Sequence, residues 1–226
     1  MAQSVIVTGG FGVLGQAVAK AFAARGDKVA RVDYAGSAPS PLDGALDIGG
    51  VDLTDAAATQ GALDKVVAEH GGIDVLVNVA GGFAWETLED GSLDTWAKMN
   101  AMNLTTNVTI TKLALVELKK SAQGRIINIG AGGAVKADMG MGAYAASKSG
   151  VHRLTEALAV ELGGTSVTVN AVLPSIIDTP TNRADMPDAD PKEWVTPESI
   201  ADVMLFIASP ASGAMTGALI PVTRNV

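Results

Sequence analysis

The chain has 226 residues, 48% of them hydrophobic and 18% charged, enough apolar material for one large folded domain and too much for global disorder. Its formal net charge of −8 comes without any run of Lys or Arg, which argues against a nucleic-acid or anionic-membrane surface. Cysteine is absent, which excludes disulfides, thiolate catalysis and Cys-ligated zinc. With only His70 and His152, no multi-histidine metal centre is expected. The apolar runs fall far short of the ~18 residues that span a bilayer, and Met1 to Lys20 lacks a basic start and a cleavage site. The expectation is a cytoplasmic protein that takes a small-molecule substrate.

In chain order, Ser4 to Thr8 reads as a strand, followed by a glycine-rich turn and a helix to Arg25. Lys28 to Asp33 is a second strand and Ala45 to Val51 a third, after which Thr54 is expected to cap a helix through about His70. Ile73 to Val79 suits a strand buried on both faces, and a long helical region is expected from Ser92 to Ser121. A strand at Arg125 to Ile129, a helix from about Gly142 to Leu162 and a strand at Val167 to Leu173 continue the alternation. An irregular stretch from Pro174 to Pro197 precedes a helix at Glu198 to Ala208 and a last strand at Ala218 to Thr223. Strands alternating with helices imply an α/β fold: one doubly wound, Rossmann-type parallel sheet of about seven strands, helices on both faces, over residues 1–226. The stretch 174–197 is long for a connection and is expected to be a substrate lid.

Between the first strand and first helix lies Thr8-Gly9-Gly10-Phe11-Gly12-Val13-Leu14-Gly15, where glycine permits a sharp turn and lets a pyrophosphate approach backbone N–H groups at a helix start. Asp33, at the end of the second strand, either hydrogen-bonds adenosine ribose hydroxyls or simply starts a turn. The same carboxylate repels a 2′-phosphate, so NAD(H) is favoured over NADP(H). Arg31, two residues earlier, either pairs with Asp33 or reaches a phosphate. Asp52 and Leu53 follow the third strand, where Asp52 is either an adenine-amino acceptor or a turn aspartate. Asn78-Val79-Ala80-Gly81 ends the fourth strand at the same carboxyl edge. Tyr144 and Lys148, four apart on a predicted helix, share a face, and a neighbouring cation draws a phenol down from its reference pKa of about 10. Phe83, Trp85, Met139, Met141 and Trp194 flank the predicted catalytic edge, either as an apolar pocket for a flat heterocycle or as ordinary packing.

Taken together, these residues resemble the short-chain dehydrogenase/reductase family over nearly the whole chain. The resemblance rests on the Thr8 to Gly15 motif, Asp33, Asp52, Asn78 to Gly81, Asn103, Tyr144 with Lys148, and Pro174 with Thr179. It implies hydride exchange between a nicotinamide and a substrate carbon. Tyr144 is then the proton donor or acceptor, Lys148 holds the nicotinamide ribose and tunes Tyr144, and Asn103 supports a water that relays protons. Gly9, Gly12, Val13, Leu14, Gly15, Asn78, Ala80 and Gly81 are expected along the cofactor, with Pro174, Ile177 and Thr179 at its carboxamide. The family's pairing of long helices implies a homodimer or homotetramer.

Two departures from the family pattern matter. Val13 stands where short members usually carry a glycine, and Ala131 stands where they carry the catalytic serine, flanked by Gly130, Gly132 and Gly133. Loss of such a donor to a developing oxyanion costs ~10²–10³ in rate. The dihydropteridine reductase branch is similar in this replacement, in Gly9 to Gly15, in Ala80-Gly81-Gly82 followed by an aromatic, and in Asp178 to Arg183 leading to Met186-Pro187. That resemblance makes NADH-dependent reduction of a quinonoid dihydropterin the first expectation. An alcohol dehydrogenase or ketoreductase is the second, and an NAD-binding sensor the third.

Overall fold

The computed structural model describes residues 2–224; Met1, Asn225 and Val226, the ends of the expected 1–226 domain, lie outside the described residues. Strands β1 (Ser4–Thr8), β2 (Lys28–Val32), β3 (Leu46–Ile48), β4 (Val75–Asn78), β5 (Arg125–Ile129), β6 (Thr168–Pro174) and β7 (Leu219–Val222) form one sheet. They are parallel throughout, in the order β3-β2-β1-β4-β5-β6-β7. The chain therefore steps outward from β1 to β3 and crosses back to β4. This leaves a crevice at the carboxyl ends of β1 and β4, the place where such sheets bind ligands.

Among the described residues seven α-helices connect the strands: α1 (Val13–Ala24), α2 (Ala56–His70), α3 (Leu93–Asn100), α4 (Thr106–Leu118), α5 (Gly142–Glu161), α6 (Pro180–Asp185) and α7 (Pro197–Ile207). The two-residue period of a strand sends alternate side chains to opposite layers. Val5, Val7, Val75, Val77 and Ile127 join Val18, Phe22, Ile200 and Met204 of α1 and α7 on one face. Ile6, Leu76 and Ile126 join Leu63, Val66, Ile110, Leu118 and Leu158 of α2, α4 and α5 on the other. Burial on both faces explains why these strands read as unbroken apolar runs. Among the described residues no helix is long and apolar enough to cross a membrane.

The structure departs from the sequence reading at four places. β3 has only three residues, because Gly49 and Gly50 follow Ile48 and end the pairing. The cap of α2 is Asp55, whose carboxylate accepts the N–H groups of Ala57 and Ala58; Thr54 instead donates its hydroxyl to Asp52 at 2.6 Å. The helical region from Ser92 to Ser121 is interrupted by a π-helical turn at Ala101–Thr105. The lid stretch contains α6 and a 3-10 turn at Pro191–Glu193, and its two ends are joined by a bridge between Ile177 and Val195.

A polar cluster is buried beneath the catalytic edge. Asn78 and Asn128 are register partners on β4 and β5, and Asn78 Nδ2 donates to Asn128 Oδ1 at 2.9 Å and to Thr111 Oγ1 at 3.0 Å. Asn107 Nδ2 also donates to Asn128 Oδ1, and Asn128 Nδ2 donates to Thr155 Oγ1 at 2.8 Å. Asn128 thus ties two strands to α4 and α5. Replacement Asn128→Ala leaves Asn107 Nδ2 without its acceptor and takes one hydrogen bond each from Asn78 and Thr155, and should destabilise the protein by roughly 1–3 kcal/mol in urea denaturation; a loss within experimental error would show that the cluster is dispensable.

Candidate active site

The glycine turn is built around two requirements. Gly9 has φ +61°, a left-handed conformation costly to a side chain, and any Cβ on Gly15 would run into the Gly9 carbonyl and the Gly10 Cα. This close approach sets the start of α1 against the end of β1. The N-cap residue Gly12 gives α1 no side-chain cap, and Gly12 and Val13 are exposed, so the first-turn N–H groups open to the crevice. Leu14, by contrast, sends its side chain into the core.

Asp33 is half-buried and held by the same turn. Its Oδ2 accepts the Phe11 N–H at 2.9 Å, and its Oδ1 accepts the Ala35 N–H at 2.9 Å. Arg31 does neither of the things expected of it. Its guanidinium is fully buried, forms a two-pronged pair with Asp47 at 2.6 Å, donates to the Ser40 carbonyl and lies 5.5 Å from the Phe11 ring centroid. The reason is topological: β3 lies beside β2, and Asp47 is in register with Arg31.

Other residues expected along the cofactor divide between exposed and internal positions. Asp52 adopts the turn alternative: its carboxylate accepts the backbone N–H and hydroxyl of Thr54, which hold its pKa below the usual carboxylate range. Leu53 is buried in the core. The Asn78 side chain faces the polar cluster and α4, because its register on β4 points it to that face; a side-chain role on the cofactor is corrected accordingly. Thr8 Oγ1 accepts the N–H groups of Val79 and Ala80, drawing the chain leaving β4 against β1, so that Ala80 is half-buried and Gly81 exposed at the crevice.

The catalytic candidates meet where α5 crosses the ends of β4 and β5. Lys148 is buried, and its Nζ donates to the Ile129 carbonyl at 2.9 Å; desolvation pushes its pKa down to about 8. A Cβ on Gly81 would lie 3.3 Å from this nitrogen. Burial also pushes the Tyr144 phenol up to about 12. Desolvation is the cause of this rise, and the expected downward pull from Lys148 does not accompany it. Tyr144 is therefore a neutral phenol at working pH. Phe83 meets it edge-on, with ring centroids 4.9 Å apart and planes at 77°.

Asn103 sits in the π turn between α3 and α4, a feature frequent at functional sites. Its Oδ1 accepts the Gly82 N–H at 2.9 Å, and its Nδ2 donates to the Gly82 carbonyl at 3.1 Å and to Ser147 Oγ at 3.0 Å. The Asn103 side chain is thus spent on clamping the loop after β4 to α5, and any water relay would rest on its main chain. Ser147, unmarked in the sequence reading, completes this clamp by donating to the Tyr144 carbonyl at 2.7 Å.

Of the residues expected around the substrate, Phe83, Trp85 and Met139 are exposed, and Trp85 lies against Gly140, where the loop after β4 meets the segment before α5. Met141 is half-buried with its methyl group near Gly133, and Ala131 is buried at the end of β5. Trp194 is buried at the lid root, so it supports the lid and does not face the crevice. Pro174 closes β6; Ile177 packs against the core and its carbonyl accepts Asn182 Nδ2 at 2.7 Å, and Thr179 caps α6. A groove of about 340 Å³ between α2 and α4 and one of about 300 Å³ at the outer lid are lined by none of Asp33, Asn103, Tyr144 or Lys148.

The family described as short chain dehydrogenase matches residues 3–190. The chain belongs to this family and is an NAD(P)-dependent oxidoreductase. Among its relatives is meso-2,3-butanediol dehydrogenase of Serratia marcescens, 31% identical over 96% of this chain and 92% of that one. D-threitol dehydrogenase of Mycolicibacterium smegmatis is 32% identical over 94% and 88%. The 3-ketoacyl-(acyl-carrier-protein) reductase of Brucella melitensis, solved in complex with NADH, superimposes with a TM-score of 0.88 at 25% identity, covering 97% of this chain and 96% of that one.

The residues fit a pyridine nucleotide. The uncapped start of α1 at Gly12, Val13 and Leu14 would hold the pyrophosphate, Asp33 the adenosine ribose, Lys148 the nicotinamide ribose, and the segment from Pro174 through Ile177 to Thr179 the carboxamide. Bound there, the cofactor supplies or accepts a hydride. Tyr144 as a neutral phenol would be the group to donate a proton to a developing alkoxide, and in the reverse direction its conjugate base would take the proton back. Tyr144→Phe should lower turnover by at least ~10²-fold while leaving NADH affinity nearly intact; unchanged turnover would remove Tyr144 from the chemistry.

Lys148 has a pH signature of its own. Its folded pKa lies below the unfolded value, so the burial penalty is fully present below about 8 and is relieved as pH rises from there to 10.5. Across that window the wild type should gain roughly 1–3 kcal/mol relative to Lys148→Met in urea denaturation. Parallel pH dependences for the two proteins would show that Lys148 is not desolvated.

Proposed function

We propose that the protein interconverts a small ketone and its secondary alcohol, preferring NAD(H) to NADP(H). The observation that carries this reading is the Tyr144 phenol one helical turn from the buried Lys148, with the exposed Phe83 ring set edge-on against it. Relatives named for butanediol and threitol support a compact, uncharged, oxygenated substrate. The cofactor preference is supported by Asp33, fixed by two backbone N–H groups, and by the engagement of Arg31 with Asp47, which withholds the nearest cation from a 2′-phosphate. The protein is expected to work in the cytoplasm as a homodimer or homotetramer.

A second reading, reduction of the C=N group of a quinonoid dihydropterin, is favoured by one observation. Ala131 occupies the place of a carbonyl-polarising hydroxyl, and the flanking Gly130, Gly132 and Gly133 supply none. The sequence resemblance put this reaction first. The relatives and structural neighbours act on alcohols and ketoacyl groups, so the order is reversed here.

The test is oxidation of NADH and NADPH against acetoin, other small ketones and quinonoid dihydropterin. NADH-dependent turnover of the hydroxyketone exceeding that of the pterin is the expected result, with Ala131→Ser raising it by roughly tenfold or more. Rapid pterin turnover with feeble ketone reduction would overturn the first reading in favour of the second.

A further inference from the structure

Tyr144, Lys148 and His152 follow one another at four-residue steps along α5, so all three project from one face. Lys148 and His152 engage the same segment of backbone with opposite polarity. Lys148 Nζ donates to the Ile129 carbonyl at 2.9 Å, and His152 Nε2 accepts the Ala131 N–H at 3.2 Å. Between them lies Gly130, where a Cβ would stand 2.5 Å from His152 Nε2, 2.7 Å from its Cδ2 and 3.0 Å from Leu173 Cδ1. Only a residue without a side chain lets the imidazole come this close. The ring is 3% exposed, so without it the Ala131 N–H would face a dry interior unpartnered.

We propose that His152 is a positioning residue for the reaction. As a neutral hydrogen-bond acceptor it fixes the turn at Gly130 and Ala131 that walls the cleft beside Tyr144, a turn with no side-chain hydroxyl to anchor it. The proposal rests on the family assignment of Tyr144 and Lys148 as the reacting centre and holds for either substrate reading. A side chain that only filled space would pack equally well as leucine; this one has to accept a hydrogen bond.

The acceptor role requires an unprotonated Nε2. Burial holds the imidazole below its usual range; Arg153 and Lys148 push in the same direction, and Glu156 opposes them. These charged groups are all on α5. The residues that meet the ring from β6 and from the end of β5, Leu173, Gly130 and Ala131, carry no titratable side chain. As pH falls through the depressed value the ring gains a proton, Nε2 becomes a donor, and the bond to Ala131 is lost.

The test compares wild type, His152→Leu and His152→Gln, each saturated with NADH, by site-resolved amide hydrogen exchange and by steady-state kinetics. Glutamine can present its Oε1 to the Ala131 N–H but does not titrate. In wild type, protection of the Ala131 amide, corrected for intrinsic rate, should fall by about tenfold on acidification below the ordinary histidine range; in His152→Gln it should stay level. His152→Leu should show that lost protection at neutral pH, with kcat down about tenfold and the KM for NADH nearly unchanged. Glutamine should restore both. Equal protection in wild type and His152→Leu, or lost protection with unchanged kcat, would overturn the proposal. If His152→Leu does not fold, the contrast in acid protection between wild type and His152→Gln decides. The exchange measurement needs no acceptor substrate, so failure of every ketone and pterin would count against the proposed function and leave this result standing.

Discussion

The buried bond from Lys148 Nζ to the Ile129 carbonyl is the contact around which the site is arranged. An ammonium removed from water is costly unless hydrogen-bonded, and this one is satisfied by an acceptor at the very end of β5. It therefore fixes α5 in rotation and in height against the sheet. With α5 so placed, Tyr144 one turn earlier comes to the mouth of the cleft, and Ser147 meets Asn103. Asn103 in turn grips Gly82, so the loop after β4 is positioned by the same helix. Displacing Lys148 would disturb all three groups at once.

A second arrangement of this kind holds the glycine turn and Asp33, where the adenosine ribose would sit. Arg31 and Asp47 bind β2 to β3, the guanidinium lies beside the Phe11 ring, and the Phe11 N–H is accepted by Asp33. Gln16 Nε2 donates to the Phe11 carbonyl and Gln16 Oε1 accepts the Ser40 hydroxyl, closing the circle through the Ser40 carbonyl to Arg31. The glycine turn is flexible in composition but held on every side. Preorganisation of this sort lowers the conformational entropy that binding a dinucleotide must otherwise overcome.

The fold was legible because parallel strands buried on both faces leave long apolar runs and glycine marks the turns. The strands fall within the expected segments except β6, which runs one residue further to Pro174, and β3 is much shorter than expected. The site was legible only in part. Residue types with inherent chemistry, such as Tyr144, Lys148 and Asp33, stand out in a sequence. Partners chosen by register do not: nothing in local spacing shows that Arg31 is opposite Asp47, or that Asn78 faces Asn128 and α4 and not the crevice. Trp194 illustrates the same limit, since an aromatic in a lid reads identically whether it faces substrate or supports the lid root. The π turn at Ala101–Thr105 has no compositional mark at all, and its Asn103 hydrogen-bonds across to Gly82.

His152 had a readable signal, the four-residue step after Lys148, but its meaning depends on Gly130 and Ala131, which lie in another element. Glycine at 130 and alanine at 131 look in sequence like the loss of a catalytic serine. In the structure the same two residues have a positive role: one makes room for an imidazole and the other gives it an N–H to accept. A serine hydroxyl can tie its loop to substrate only while substrate is present, whereas a buried imidazole holds the loop throughout the cycle. The donor is a backbone N–H that a serine would offer as well, so the histidine holds the cleft wall from behind the strand end whether or not a hydroxyl stands at position 131.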